Sequence, residues 1–304
     1  MNKQIGIIGL GKMGYSLALN LKDKGWDVVV FNRSQSKVEE IEKQGVTGAK
    51  TLTEFIGKLK GPRVVWCMLT AGEATQDIIF KEEGLKDLLS EGDFIIEGGN
   101  SKFTQDKSNA QLLAEKGINY TDVGVSGGPN GARNGACLMI GGTKNNFETL
   151  ETLYKDIAYN GTAYKFFEGH GAGHFVKMVH NGIEYGMMQS IAEGFNLIKQ
   201  SEFDLNLVQV ADIYNNKSVI ESRLIEWLKD GFIKYGENLD VISGSVQMLG
   251  EGEWTVETAK AMNLQVKVIE NSVEFRKQSQ SSPSFTGKIL SMLRNMFGGH
   301  SIEN

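Results

Sequence analysis

The stretch that most limits what this chain can become is Gly9-Leu10-Gly11-Lys12-Met13-Gly14. A short apolar run, Lys3 to Leu10, leads into it, and a helical pattern, Tyr15 to Lys24, leads out. The glycines permit a tight turn and close approach to a pyrophosphate. The helix N-terminus beyond them offers free N–H groups and the positive end of its dipole. A second strand, Asp27 to Phe31, arrives at the spacing a strand–turn–helix–strand unit requires. The alternative is a glycine-rich turn without a ligand, and the flanking strand and helix weigh against it.

The end of that second strand reads Asn32-Arg33-Ser34. An acidic residue in place of Asn32 would accept both ribose hydroxyls and repel a 2′-phosphate. A guanidinium and a hydroxyl suit a 2′-phosphate instead. NADP is the expected cofactor, with NAD possible. The other reading of Arg33 is a surface charge that stacks on adenine.

Strands and helices go on alternating. Strands are expected at Arg63–Leu69, Phe94–Ile96 and Asn119–Val123, and helices at Val38–Gln44, Ala74–Leu89 and Gln105–Lys116. The pattern is α/β, a Rossmann-type doubly wound domain, whose ligands collect at the carboxyl ends of the strands. Leu69-Thr70-Ala71, Asn100-Ser101 and Ser126-Gly127-Gly128-Pro129 are such ends. Cys137–Ile140 and Ala163–Phe167 read as later strands. After about residue 168 the strand signal stops and the pattern is all-α: His174–Gln200, Leu205–Tyr214, Ser222–Leu228, Thr255–Met262 and Val266–Gln278, with Gly231–Gly252 irregular. The expected organisation is a dinucleotide-binding domain over 1–168, a helical substrate and oligomerisation domain over 169–280, and a tail over 281–304. The tail helix, Phe285–Phe297, has little core of its own and is expected to dock elsewhere, on another subunit.

Composition narrows the function. With 304 residues and a net charge of −5, there is room for two domains and no case for nucleic acid or an anionic membrane. No apolar run spans a bilayer, and no signal-peptide layout precedes Ile5. Cys67 and Cys137 lie in apolar runs and read as two buried, reduced thiols of a cytoplasmic protein. No His/Cys/carboxylate set has convincing metal-ligand spacing, so no metal is expected.

Gly173 to Tyr185 concentrates the chemistry. Taken as a helix, it puts Lys177, His180, Asn181 and Glu184 on one stripe at i, i+3, i+4 and i+7, with Tyr185 at its edge. An amine, an imidazole, an amide and a carboxyl together can form a proton-transfer site. The alternative is a solvated face with a Lys/Glu pair. Small and apolar flanks through Met187, Met188, Ile191 and Ala192 argue for a helix that is buried nearly all round.

These motifs together resemble the short form of the 6-phosphogluconate dehydrogenase family, within the β-hydroxyacid dehydrogenases. The carriers are the glycine loop, Asn32-Arg33-Ser34, Gly98-Gly99-Asn100-Ser101, Gly124-Val125-Ser126-Gly127-Gly128, and Lys177 through Tyr185. The tail Arg294-Asn295-Met296-Phe297-Gly298-Gly299-His300 resembles the family's C-terminal Arg and His, which reach into a neighbouring subunit's site. The resemblance implies oxidative decarboxylation of 6-phospho-D-gluconate to D-ribulose 5-phosphate in the pentose phosphate pathway. Lys177 would be the base and Glu184 the later acid, each shifted by burial toward the form it needs. Asn100, His180 and Asn181 would hold hydroxyls or the reacting carbonyl. Ser126, Gly127 and Gly128 would bind the carboxylate end. Tyr185, Arg276 and a partner's Arg294 would hold the phosphate, and His300 would close the site in trans. A homodimer or homotetramer with exchanged tails follows. His170 and His174 read as structural.

The chain also departs from the family pattern. It has no room for the long form's second helical repeat. The region Ser243–Thr255 has no Lys or Arg where the long form carries a phosphate-binding Lys. Short-form relatives often have an acidic residue in place of Asn32. Two other readings stay open: a dehydrogenase of another 3-hydroxy acid that does not decarboxylate, and a non-catalytic NADP-binding regulator.

Overall fold

The first unit begins with β1 (Gln4–Ile8), α1 (Lys12–Asp23), β2 (Asp27–Phe31), α2 (Gln35–Glu42), β3 (Thr47–Ala49), α3 (Leu52–Gly57) and β4 (Val64–Cys67). It goes on through α4 (Glu73–Phe80), α5 (Leu85–Leu88), β5 (Phe94–Glu97), α6 (Phe103–Ala114), β6 (Asn119–Ser126) and α7 (Gly128–Asn134). Strand β7 (Cys137–Gly142), helix α8 (Lys144–Ile157) and strand β8 (Tyr164–Glu168) complete the sheet. The long helix α9 (Ala172–Lys199) follows, then α10 (Leu207–Tyr214), α11 (Arg223–Tyr235), α12 (Glu251–Ala261), α13 (Lys267–Ser279) and α14 (Phe285–Gly298). This computed structural model describes residues 3–303. Residues 1–2 and 304, the outermost positions of the expected first and last segments, lie outside the described residues. The chain divides into two compact units between Lys177 and Met178, inside α9.

In the first unit the sheet order is β3-β2-β1-β4-β5-β6-β7-β8. All neighbours are parallel except β6 and β7, which pair antiparallel. Period-two alternation sorts the strand side chains onto two faces. Ile5, Ile7, Val28, Val30, Val64 and Trp66 join the layer of α1 and α8, while Ile8, Val29, Val65 and Cys67 join that of α3, α5 and α6. The expected Rossmann-type architecture is therefore present. Strand β7, antiparallel to β6, and β8, parallel to β7, extend the sheet at one edge. Sequence reading missed β3, α3 and α7. Strand β3 is only Thr-Gly-Ala and α7 is Gly-Pro-Asn-Gly-Ala-Arg-Asn, so neither carries an apolar period.

The second unit packs Met188, Ala192 and Phe195 of α9 with Leu207, Leu228, Phe232 and the apolar side of α14. Its helices start at side-chain caps: the Asn206 amide oxygen accepts from Gln209 N–H, and the Ser222 and Ser284 hydroxyls accept from Ile225 and Gly287 N–H. Helix α11 runs on to Tyr235, through part of the stretch that read as irregular.

Three expectations are corrected here. Cys137 is exposed at the start of β7, while Cys67 is buried and its thiol pKa is pushed up by burial and by nearby Glu97. Helix α9 is not buried all round: Ile183 and Met187 are exposed, and burial follows the stripe Met178, Tyr185, Met188, Ala192, Phe195. Helix α14 has a core of its own. Ile289, Leu290, Met292 and Leu293 are fully buried within this chain's helical unit, and α14 packs on α11. Its apolar stripe, short but continuous, packs into the helical core of this chain.

Among the described residues no helix is long and apolar enough to cross a membrane. Leu290→Ala should cost about 2–5 kcal/mol of stability in denaturant unfolding, because it opens a cavity in a closed core. A loss near zero would mean that α14 is a detachable arm.

Candidate active site

The glycine loop could accept a diphosphate. Gly9 has φ +97°, and a side chain there would strike the Met68 carbonyl. A Cβ on Gly14 would meet the Gly9 carbonyl at 1.9 Å, so α1 can lie against the turn only with glycine. A Cβ on Gly11, by contrast, would point into open space, and Gly11 is the N-cap of α1 with no side-chain cap. The cap position is therefore left open to an outside anion. Leu10 N–H donates to the Asn32 amide oxygen at 2.9 Å, which ties the turn to the end of β2. Lys12 is exposed, and Met13 packs against the sheet core. Arg33 and Ser34 are exposed beyond Asn32, with the Ser34 and Ser36 hydroxyls 3.0 Å apart. Leu69, Thr70 and Ala71 follow β4, and the Leu69 carbonyl packs against Gly99. These residues fit a dinucleotide with a 2′-phosphate.

Strand β6 brings together several of the expected site residues. Asn100 has a left-handed backbone, φ 57°, which amide side chains tolerate better than most. Its side chain accepts from Val125 N–H at 3.0 Å, with its Nδ2 3.4 Å from the Val125 carbonyl. Lys177 is 6 % exposed, and a Cβ on neighbouring Gly124 would meet the Lys177 Cβ at 2.3 Å. Asn100 and the Lys177 stem thus rest on consecutive residues of one strand. Ser126 ends the strand, and Gly127 and Gly128, at φ 123° and 62°, make the turn into α7.

Beneath Lys177 lies a polar cluster that sequence reading did not assemble. Asp122 accepts from Gly171 N–H at 2.7 Å and His174 N–H at 3.0 Å. His174 Nδ1 is 2.8 Å from Asp106, whose other oxygen accepts from Tyr120 O–H at 2.6 Å. Glu97 accepts from Gly99 N–H at 2.7 Å, and its second oxygen lies 3.6 Å from His174 Nε2. All four ionisable side chains are at most 1 % exposed. Burial alone lowers the His174 pKa, but Asp106 and Glu97 outweigh it and raise it to about 10. Burial likewise pushes Glu97 and Asp122 up. The available signal was acidic residues inside apolar strands, Ile-Ile-Glu and Tyr-Thr-Asp-Val.

In the second unit, His180 Nδ1 is 2.9 Å from Asn181 Oδ1 and 3.8 Å from Glu184. The Arg276 guanidinium lies over the Tyr185 ring, 3.4 Å from its centroid. Arg276 is 2 % exposed, and its Nε has no hydrogen-bond partner. Burial and the charge of Arg294 lower its pKa to about 10, against the pull of Tyr185 and Glu184. Arg294, expected to serve a neighbouring subunit, is buried in its own, where Tyr185, Glu251 and Glu184 act on it electrostatically. His300 folds back on the end of α14: its carbonyl accepts from the Asn295 amide at 2.7 Å, and its ring meets Phe297 edge-on.

Known proteins match both units. A family model described as the NAD binding domain of 6-phosphogluconate dehydrogenase matches residues 4–165. One described as the 6-phosphogluconate dehydrogenase C-terminal domain matches residues 173–302. A Bacillus subtilis (strain 168) protein, provisionally named 6-phosphogluconate dehydrogenase, is 42 % identical over 99 % of both chains. The NAD(+)-dependent, decarboxylating 6-phosphogluconate dehydrogenase of Haloferax volcanii is 33 % identical over 98 % of both. The Plasmodium falciparum 6-phosphogluconate dehydrogenase, solved apo, with NADP+ and with 6-phosphogluconate, superposes with a TM-score of 0.82 at 31 % identity. That match covers 91 % of this chain and 62 % of the longer one.

The buried imidazole carries a pH signature. A histidine whose pKa is higher folded than unfolded adds its full stability below the ordinary value of 6.5 and loses it as pH rises through about 10. Denaturant midpoints of the wild type should therefore fall between those pH values, with a slope that His174→Asn lacks. Superimposable profiles would mean that His174 is neutral in the fold.

Proposed function

We propose that this chain, which belongs to the 6-phosphogluconate dehydrogenase family, catalyses NADP-linked oxidative decarboxylation of 6-phospho-D-gluconate to D-ribulose 5-phosphate and carbon dioxide. The observation that carries this reading is a buried lysine stem and a fixed amide, Lys177 and Asn100, on consecutive residues of β6.

The glycine loop and the Asn32-Arg33-Ser34 end of β2 hold the dinucleotide, whose nicotinamide supplies the two-electron acceptor for substrate C3. Lys177, unprotonated, removes the 3-hydroxyl proton. As an ammonium it then donates a hydrogen bond to the 3-keto oxygen. That draws in the electrons of the C1–C2 bond as carbon dioxide leaves. Glu184, as an acid two helical turns along the same helix, protonates the former C2 of the enediol. Asn100, His180 and Asn181 orient the hydroxyls and the carbonyl, and Ser126, Gly127 and Gly128 take the carboxylate.

Arg276 and Arg294 take the phosphate. Two buried guanidiniums, each with a pKa lowered first by burial and one with an orphaned Nε, support a dianion as their partner. They also supply the positive charge that Ser243–Thr255 lacks. Exchange of the tail with a neighbouring subunit, in which α14 would make the same core contacts on the neighbour's helices, is a further part of the reading.

The test is an assay with 6-phosphogluconate that traps evolved gas. One carbon dioxide per nucleotide reduced, with kcat/KM higher for NADP than for NAD, is expected. Reduction without carbon dioxide would instead favour the non-decarboxylating dehydrogenase. Lys177→Met should lower kcat by about 10² to 10⁴-fold, the usual contribution of a general base. Near-native turnover in that variant would remove Lys177 from its role.

A further inference from the structure

We propose that His174, Asp106, Asp122 and Glu97 form a positioning network for Lys177 and Asn100, one that sets the geometry of the reacting groups and does more than stabilise the fold. The proposal rests on the reading of Lys177 as the base.

The connections run through one imidazole. Asp122 on β6 accepts from Gly171 and His174 N–H and so caps the start of α9 from across the chain. Through Nδ1, His174 engages Asp106 of α6, and Asp106 is held in turn by Tyr120 of β6. Through Nε2 it faces Glu97 at the end of β5, whose other oxygen fixes the Gly99 N–H. Asn100 is the next residue after Gly99. Lys177 lies three residues beyond His174, nearly one turn along α9. Thus the imidazole in the first turn of α9 forms an ion pair at 3.6 Å with the carboxylate that holds the turn carrying Asn100. Both outputs converge on β6, where Lys177 packs on Gly124 and Asn100 grips Val125, two and three residues beyond Asp122.

Three carboxylates and an imidazole at most 1 % exposed are an expensive way to fill a core. Apolar side chains of similar volume are often no less stabilising than such a set. What an apolar core cannot supply is direction: hydrogen bonds fix the angle of a helix start and a turn, where dispersion contacts let them slide. A cation site is the competing use, since Glu97, Asp106 and His174 bring ligand atoms within 4.8 Å of one another. Both Asp106 oxygens already accept hydrogen bonds and His174 Nδ1 is engaged, so only Glu97 Oε2 and His174 Nε2 are left over. Two donors do not make such a site.

The experiment uses the full chain with His174→Asn, Asp122→Asn and Glu97→Gln. The last is the mildest, since it keeps the oxygen that Gly99 uses. For each folded variant three quantities are measured: kcat and KM for 6-phosphogluconate, the NADP dissociation constant, and the acylation rate of Lys177 relative to exposed lysines, by peptide mass spectrometry. A kcat lowered by up to about a hundredfold is expected, with the NADP dissociation constant unchanged and the relative acylation rate of Lys177 altered. Wild-type kcat and wild-type Lys177 acylation in a folded variant, even one with a lower Tm, would overturn the proposal. The acylation readout needs no turnover. A wild type inert toward 6-phosphogluconate would therefore sink the activity reading and leave the positioning test intact.

Discussion

The closeness of α9 to the sheet is the constraint on which the first unit turns. A Cβ on Gly173 would meet the Met139 carbonyl at 2.4 Å and the Gly141 N at 2.6 Å, and one on Gly141 would strike the Asp122 carboxylate. A third missing side chain, at Gly124, makes room for the Lys177 stem. Helix and strands meet at backbone distance, so a polar group on one is within reach of the other. The Asp122 cap, the His174–Asp106 pair and the burial of Lys177 all follow from that contact. Any of the three glycines replaced by a larger residue would force the helix off the strands and separate these groups together.

Charge shows how differently the two units treat ionisable groups. In the first, three carboxylates surround one imidazole, and the pKa of the imidazole rises while those of Glu97 and Asp122 rise with burial. Only Glu97 Oε2 and His174 Nε2 make no hydrogen bond in this cluster, and they face each other as an ion pair at 3.6 Å. In the second, two guanidiniums are buried near a phenol, burial lowers the pKa of both, and one of them keeps an unsatisfied Nε. A buried group that is satisfied internally organises structure. One that is left wanting a partner points to a ligand.

Legibility of the sequence followed periodicity. The glycine loop, the strand alternation and the 28-residue helix α9 were readable because each has a period or a spacing that few folds share. That Lys177 and Glu184 lie on one helix was readable for the same reason. What escaped depends on partners distant in sequence. Asp122 is 52 residues from His174 and Asp106 is 68, and no local pattern announces either pairing. Cys137 misled because its strand is apolar while its own position is the exposed end of it. The tail helix misled because its stripe is short; only its position against α11 shows that it completes a core.

The place of α14 in that core bears on how the chain is made. Every element of the first unit is complete once Lys177 has been synthesised, and the unit can close while translation continues. The helical unit cannot do the same. Helix α14, which fills its centre, is made after α9, α10 and α11, so those helices wait with apolar faces uncovered until it emerges. The helical unit is thus open to chaperones and to its neighbours on a polysome over a span of synthesis in which the sheet unit can already be closed.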